Sequence, residues 1–356
     1  MAGLSVLLSV LYSLALAADS PNKTTVSPPF NYTRIDADLR FLPPPDSTFL
    51  RREWISGIMP QACRDFAILK NLTLGDFSVY EFVFADCARP WVMCQHKESS
   101  VKINDLAYTI STTPVLMRQR VRHYMAVGNT HDGAAATWSK GDIAFRLDFT
   151  QPSIVLHETS HGMDHLALND FGSPFSATDA WRKNIAADAA VVSDYSNVNW
   201  KENFAESTVI AIYDRAMKMS GGGGVEAIQG SWRQVYHAYT VVQAFLGDQI
   251  WRNSEKKKCW MRYVDSDVVF AVNGSKFDTQ QLLLPTSDVQ VMELPDHIQE
   301  IEELLDEATS FDAAGGTHEM PTFVEEEPER CELIQSSPAF FSSECVFRVK
   351  GSVLSM

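Results

Sequence analysis

The sequence predicts an α+β fold in which a small mixed sheet lies over a helix that carries an H-E-x-x-H motif, followed by a mostly helical C-terminal half. The motif occupies residues 157–161 and is entered from an apolar run at residues 154–156. Residues 141–149 alternate apolar and polar side chains for several positions, as a half-buried strand does. After residue 180 the apolar spacing is helical in several successive stretches.

Length and composition indicate a globular protein. A chain of 356 residues can bury a large core and hold one large domain or two moderate ones. Its 45% hydrophobic and 21% charged residues are ordinary for a folded protein. The formal net charge of −15 argues against a nucleic-acid partner bound through its phosphates.

The N-terminus predicts secretion. Residues 4–14 are apolar over the length of a signal-peptide core, and Ala15-Leu16-Ala17 gives the small-x-small cleavage pattern. We therefore expect a signal peptide at residues 1–17 and a secreted, extracellular or cell-wall-associated protein. The apolar stretch is too short to cross a membrane and no other run approaches that length, so no membrane span is expected.

The six cysteines and the glycosylation sequons agree with an oxidising compartment. An even set of cysteines is compatible with three disulfides, although six cysteines allow 15 pairings. Short loops favour Cys87–Cys94 and Cys331–Cys345, which leaves Cys63–Cys259; no Cys-x-x-Cys occurs to suggest a zinc-thiolate site. Four N-x-S/T sequons suit a glycosylated secreted protein and lie at Asn22, Asn31, Asn71 and Asn273.

Turn residues and apolar patterns predict the elements before the motif. Residues 18–34 are rich in Ser, Thr, Asn and Pro and are expected to form an exposed polar arm. Three further elements are predicted from local pattern: a short helix at 49–55, a strand at 79–84 and a helix with a basic face at 118–125.

Helices dominate the prediction after the strand at 141–149. They are the motif helix at 152–168 and further helices at 180–192, 200–219, 232–251 and 298–305. Residues 311–356 form an acidic tail that contains the last two cysteines.

The motif itself predicts a metal site. Residues four apart lie on one face of a helix, so His157 and His161 can hold one metal ion, with Glu158 beside them to take a proton from water. A catalytic zinc needs a third protein ligand. His165 would lie about 12 Å along the helix axis from His157, too far to share the ion. Glu202 and Glu206, four apart on a later helix, are better candidates.

The arrangement of these residues resembles a known peptidase family. The H-E-x-x-H motif, Asp164 three residues later, Tyr195, and Glu202 opening the pattern E-x-F-A-E resemble the zinc-peptidase domain of anthrax lethal factor and its relatives. Tyr195 stands seven residues before Glu202, and Glu202 stands 45 residues after His157, close to the family's spacing. The whole chain also resembles fungal conidiation-specific secreted proteins that carry a peptidase domain of this kind.

The resemblance implies a role for each residue. Glu202 would complete the zinc site with His157 and His161, and Glu206 would orient a ligating histidine. Tyr195 would stabilise the oxyanion, and Asp164 would hold a ligand or a loop in place. The implied fold is a zincin-like catalytic domain at residues 35–310, with its motif region at 141–219. A deuterolysin-type zincin, with Asp188 or Asp194 as third ligand, is the second choice because its glycine-threonine signature is missing here.

We therefore expect a secreted zinc metalloendopeptidase with one Zn²⁺ ion, Glu158 as general base and a peptide or protein as substrate. The alternative is a non-catalytic secreted spore or wall-associated protein that retains a zincin fold.

Overall fold

The structure, a computed structural model, has a mixed α+β fold. It describes residues 20–41, 49–87, 89–128, 135–138, 141–146, 150–251, 259, 262–277 and 290–291. All of them belong to one unit, Met1–Gln299. Three predicted segments lie outside the described residues: the signal peptide predicted at 1–17, the helix predicted at 298–305 and the acidic tail predicted at 311–356, with Cys331 and Cys345.

A mixed sheet forms the first half of the fold. Its seven strands are ordered β6-β7-β5-β4-β3-β1-β9, with β4, β5 and β7 parallel to one another and the other neighbours antiparallel. A separate antiparallel pair joins β2 to β8. The strands are β1 (Phe49–Glu53), β2 (Ile58–Pro60), β3 (Phe77–Phe84), β4 (Trp91–His96), β5 (His123–Val127), β6 (Ala135–Trp138), β7 (Asp142–Arg146), β8 (Val268–Phe270) and β9 (Gln290–Val291).

The helices cover the sheet and build the second half of the fold. They are α1 (Tyr32–Phe41), α2 (Gln61–Leu69), α3 (Ile103–Thr112), α4 (Val115–Arg118), α5 (Pro152–Leu166), α6 (Asp179–Ala187), α7 (Trp200–Met219), α8 (Val225–Ile228) and α9 (Tyr236–Leu246). The motif lies on α5. The strand predicted at 79–84 and the helix predicted at 200–219 are confirmed as β3 and α7. The helices predicted at 180–192 and 232–251 are found as α6 and α9, which differ from the prediction mainly at their ends.

The strand before the motif, β7, is buried throughout rather than half-buried. Successive side chains of a strand point to opposite faces. Ile143 and Phe145 pack with Tyr124 on the face covered by α3 and α5, whereas Ala144 packs with Met125 on the other face, beside α2. Helices therefore cover both faces of these parallel strands.

The helical half has its own core around α7. From Asn203 to Asp214 every residue of this helix is buried, which is the pattern of a helix surrounded by other elements. Leu156 and Met163 of α5 pack with Phe204 and Ile210 of α7 in one apolar cluster. The helix that carries the motif is therefore held against the helix that carries the predicted third ligand.

The N-terminal segment at 20–34 is not an exposed arm. Val26 is 1% exposed and Phe30 is 7% exposed, because both side chains join the helical core. The Val26 amide donates a hydrogen bond to the Val191 carbonyl at 2.9 Å, and the Lys23 amide donates one to Oδ1 of Asn197 at 3.1 Å. Polar composition suggested solvent exposure, but the few apolar side chains of the segment determine its packing.

Two helices predicted by local pattern are strands or short turns. Residues 49–53 form β1, which pairs with β3, and the tertiary pairing overrides local helix preference. In the basic stretch at 118–125, α4 ends at Arg118 and β5 begins at His123, in the centre of the sheet. Arg118 and Arg122 do not form a solvated face, since they pair with Asp86 and Asp142.

The predicted pairings Cys87–Cys94 and Cys63–Cys259 are wrong, whereas the predicted pair Cys331–Cys345 lies outside the described residues. The structure pairs Cys63 with Cys94, with Cα atoms 6.5 Å apart, and Cys87 with Cys259, with Cα atoms 4.8 Å apart. Cys94 lies within strand β4, whereas Cys87 lies before that strand, in the connection from β3. They also lie in different cores, so Cys94 meets α2 and Cys87 meets residue 259.

Two further expectations concern glycosylation and membrane spans. The asparagines of all four sequons, Asn22, Asn31, Asn71 and Asn273, are exposed. No helix among the described residues is both long and apolar enough to cross a membrane.

Peptide mapping of the non-reduced protein tests the disulfides. We expect linked peptides that join Cys63 to Cys94 and Cys87 to Cys259, because these pairs lie within bonding reach. A linked Cys87–Cys94 peptide in the folded protein would contradict the assignment of the two cores.

The cap of the motif helix can be tested by substitution. Gln151, at the N-cap, makes no side-chain capping bond, and the Ser153 amide donates instead to Oδ1 of Asp36 at 2.7 Å. Asp36→Ala should lower the free energy of unfolding by about 0.5–2 kcal/mol, as loss of a helix cap does. Asp36→Asn keeps an acceptor and should lose less, as measured by urea denaturation; equal losses would show that the hydrogen bond is unimportant.

Candidate metal centre

The predicted ligands from α5 and α7 lie together. His157, His161 and Glu202 each present one ligand atom, and these three atoms lie within 4.8 Å of one another. Nε2 of His157 is 3.0 Å from Oε2 of Glu202, and Nε2 of His161 is 3.4 Å from the same oxygen. His165, on the same helix, is not part of this group.

The donor set fits zinc. Two imidazole nitrogens and one carboxylate oxygen are the ligands of many catalytic zinc sites. With zinc–ligand bonds of about 2.0–2.2 Å, neighbouring ligands of a tetrahedral ion lie about 3.4 Å apart. The distances of 3.0 and 3.4 Å are close to that spacing, and all three ligand atoms lie within 4.8 Å of one another, so the donor set and its geometry fit one zinc ion.

The start of α7 is fixed locally, which positions Glu202. Oδ1 of Asn199 accepts hydrogen bonds from the amides of Lys201 at 2.9 Å and Glu202 at 3.0 Å. This is an N-cap, and it sets the first turn of the helix where Glu202 stands. An acidic residue in that turn is also favoured by the helix dipole.

Glu206 orients His157. One turn along α7 from Glu202, its Oε1 accepts a hydrogen bond from Nδ1 of His157 at 2.8 Å. With Nδ1 bound in this way, Nε2 is the nitrogen directed at Glu202 and His161. A carboxylate that holds the second nitrogen of a ligating histidine is a common feature of zinc sites.

Hydrogen bonds within the cluster shift the pKa values of His157 and Glu202 in opposite directions. Burial alone would lower the pKa of His157, but its hydrogen bonds to Glu202 and Glu206 raise that pKa to about 10. Burial alone would raise the pKa of Glu202, but its hydrogen bonds to His157 and His161 hold that pKa at about 2. The Glu202 carboxylate is therefore ionised at neutral pH, the form that binds a cation.

Tyr195 and Glu158 flank the ligands. The Tyr195 ring centroid is 5.7 Å from that of His157, and the residue is 52% exposed, so its hydroxyl is accessible from solvent. Burial and the charges of Glu202 and Glu158 raise the pKa of Tyr195, which keeps the phenol protonated. Glu158, on α5 between the two histidines, is only 7% exposed.

Asp164 holds a loop rather than a ligand. Its Oδ1 accepts from the Ser176 amide and its Oδ2 accepts from the Ser176 hydroxyl, both at 2.7 Å. Ser176 lies in the turn Phe175–Ala177, whose Phe175 packs against Phe204 of α7. Of the two expectations for Asp164, the loop-holding one is therefore the contact that the structure contains.

The two aspartates considered as alternative ligands have other partners. Asp188 accepts hydrogen bonds from the amides of His237 at 2.8 Å and Ala238 at 2.7 Å, and so caps the start of α9. Asp194 accepts one from the Thr25 hydroxyl. Neither belongs to the group formed by His157, His161 and Glu202.

Comparison with known proteins identifies the family. The profile of the family described as conidiation-specific protein Con-13 matches residues 36–278. The chain belongs to the Con-13 family. Conidiation-specific protein 13 of Neurospora crassa is 27% identical over 218 residues, which cover 58% of this chain and 63% of that relative, less than two thirds of its length. No solved structure matches the chain.

This finding corrects the family predicted from the motifs. The resemblance to the zinc-peptidase domain of anthrax lethal factor is wrong as a family assignment, because the matching profile is that of Con-13. Neither match shows a peptidase domain. The individual motifs were short enough to fit several families, and their spacing did not identify the right one.

Two residues near the centre of this Con-13 protein were missed by sequence reasoning. The hydroxyls of Tyr32 and Ser193 donate to Oε2 of Glu206 at 2.7 and 2.6 Å. Tyr32 is 174 residues from Glu206 in sequence, and no local pattern connects them. Ser193 lies two residues before Tyr195, and this closeness to a predicted site residue is a signal from which its hydroxyl could have been found.

The choice of third ligand can be tested by paired substitutions. Glu202→Ala should abolish stoichiometric zinc, measured by metal analysis after gel filtration, because one of three ligands is removed. Asp188→Ala should keep zinc but lower the free energy of unfolding by about 1–3 kcal/mol, because buried donors at the start of α9 lose their acceptor. Loss of zinc in the Asp188 variant with retention in the Glu202 variant would reverse the assignment.

Proposed function

We propose that the chain is a secreted zinc metalloendopeptidase of zincin-like design. The observation that carries the proposal is the convergence of His157, His161 and Glu202 within 4.8 Å, with Glu158 on the same helix turn and Tyr195 beside His157. Two imidazoles, a carboxylate ligand, a general base and a hydrogen-bond donor are the groups that metal-assisted hydrolysis of a peptide bond requires.

His157, His161 and Glu202 would hold the ion, and Glu206 would keep the His157 imidazole oriented. Zinc bound there supplies Lewis-acid chemistry, polarising a carbonyl oxygen and lowering the pKa of a water molecule. Glu158 takes a proton from the attacking water and passes it to the leaving amine as the carbon–nitrogen bond breaks. Tyr195, protonated at neutral pH, donates a hydrogen bond to the oxyanion.

The surroundings of α5 suit an extended peptide substrate. Strand β7 leads toward α5, and β6 pairs with it antiparallel as the last described strand on that side of the sheet. β6 also contacts the motif helix. In this proposal an extended peptide adds as a further strand beside β6 and passes the ligands, which is the physical basis for the zincin-like interpretation.

Two features support a secreted protein. The disulfides Cys63–Cys94 and Cys87–Cys259 are stable in an oxidising compartment, and the four sequon asparagines are exposed and accessible to glycosylation. Together with the predicted signal peptide at 1–17, they favour an extracellular or cell-wall location.

A second candidate is a non-catalytic spore or wall-associated protein that keeps the fold and the metal. The observation that favours it is the match to a relative named for conidiation and not for an enzymatic activity. The two candidates differ in turnover, since both would bind zinc.

The variant Glu158→Gln distinguishes the catalytic candidate from the non-catalytic one. If Glu158 is the general base, this variant should retain stoichiometric zinc, because no ligand is changed, and lose peptidase activity by about 10²–10⁴-fold. Cleavage of a fluorogenic peptide library is the measurement, and Glu98→Gln, an exposed glutamate after β4, is the matched control. Unchanged cleavage in the Glu158 variant would refute the mechanism, and zinc without any cleavage by the unaltered protein would favour the non-catalytic candidate.

A further inference from the structure

We propose that Tyr32 and Ser193 are positioning residues of the metal centre, acting through Glu206 on the imidazole of His157. By this inference the N-terminal segment, which contains no ligand, takes part in metal binding. The inference rests on the proposed function only in assuming that His157, His161 and Glu202 bind zinc; it does not require catalysis.

The hydrogen bonds form a continuous chain. Oε2 of Glu206 accepts from the Tyr32 hydroxyl at 2.7 Å and from the Ser193 hydroxyl at 2.6 Å. Its other oxygen, Oε1, accepts from Nδ1 of His157 at 2.8 Å. Glu206 is 8% exposed, so solvent offers little replacement for a donor that is lost. Donors on both oxygens prevent the carboxylate from rotating away from His157.

The orientation of His157 matters because an imidazole can turn about its side-chain bond. With zinc bound, the hydrogen bond from Nδ1 would leave the lone pair on Nε2, the nitrogen that lies on the side of Glu202 and His161. A carboxylate partner also raises the basicity of the ligating nitrogen. Tyr32 and Ser193 keep that carboxylate in place, so their removal should weaken zinc binding without removing a ligand.

Their positions are independent of each other. Tyr32 is the first residue of α1, and Ser193 lies in the loop that leads to Tyr195. The same helix α1 makes a second hydroxyl contact with α7, in which Tyr213 donates to Oδ2 of Asp38 at 2.6 Å. That contact joins the same two helices but does not include Glu206, so it provides a matched control for loss of a tyrosine hydroxyl.

The experiment measures the affinity of the full-length secreted chain for zinc alone, in competition with a chromogenic chelator. We expect Tyr32→Phe and Ser193→Ala each to weaken zinc affinity by about tenfold, and the double variant by up to about 100-fold, the range found when the partner of a ligating histidine is disturbed. Ser193→Thr keeps the hydroxyl and should restore affinity. Tyr213→Phe should leave zinc affinity unchanged even if its melting temperature falls.

The outcomes distinguish this inference from the proposed function. Zinc affinity reduced in Tyr32→Phe and Ser193→Ala, but not in Tyr213→Phe, supports the positioning role. Unchanged affinity in both variants, or an equal loss in the Tyr213 control, overturns it while zinc binding by the unaltered protein stands. If Tyr32→Phe does not fold, Ser193→Ala and Ser193→Thr decide the question alone. Absence of stoichiometric zinc in the unaltered protein would overturn both proposals.

Discussion

The packing of α5 against α7 is the constraint on which the candidate metal centre depends. Leu156 and Met163 on one helix share an apolar cluster with Phe204 and Ile210 on the other. This contact places the histidines of α5 opposite Glu202 and Glu206 of α7, although the two sequences are separated by more than a helix and a long loop. Apolar burial is non-directional, so it brings the helices together, and the hydrogen bonds of Glu206 then select one arrangement of the polar groups.

α1 reinforces that arrangement from outside the helix pair. Asp36 accepts a hydrogen bond from the first turn of α5, while Tyr32 and Asp38 bond side chains of α7. One short helix therefore contacts both ligand-bearing helices at polar atoms. The chain before it is anchored by Val26 and Phe30 in the helical core, which explains how a polar N-terminal segment acquires a fixed place.

Much of the candidate centre could be predicted from the sequence, because its residues lie in two short segments of the chain. The spacing within residues 157–161 and within residues 202–206 determines which side chains share a helix face, and both helices formed as the pattern indicated. Non-local pairings could not be predicted in this way. The disulfide of Cys87 with Cys259, the strand at 49–53 and the contact of Tyr32 with Glu206 depend on segments far apart in the chain. The family could not be read from the motifs either, because motifs of a few residues fit more than one family and the matching profile is that of Con-13.

Carboxylates outnumber imidazoles in the candidate metal centre. Three carboxylates, those of Glu158, Glu202 and Glu206, surround two imidazoles, and two of these carboxylates are less than 10% exposed. Hydrogen bonds to Glu202 and Glu206 raise the pKa of His157, so its imidazole pairs with both carboxylates in the metal-free protein. Burial of excess charge is costly unless it is paired, and a divalent ion on His157, His161 and Glu202 would remove that cost. The proposed metal binding does not require turnover of a substrate, whereas the proposed catalysis depends on Glu158 and Tyr195.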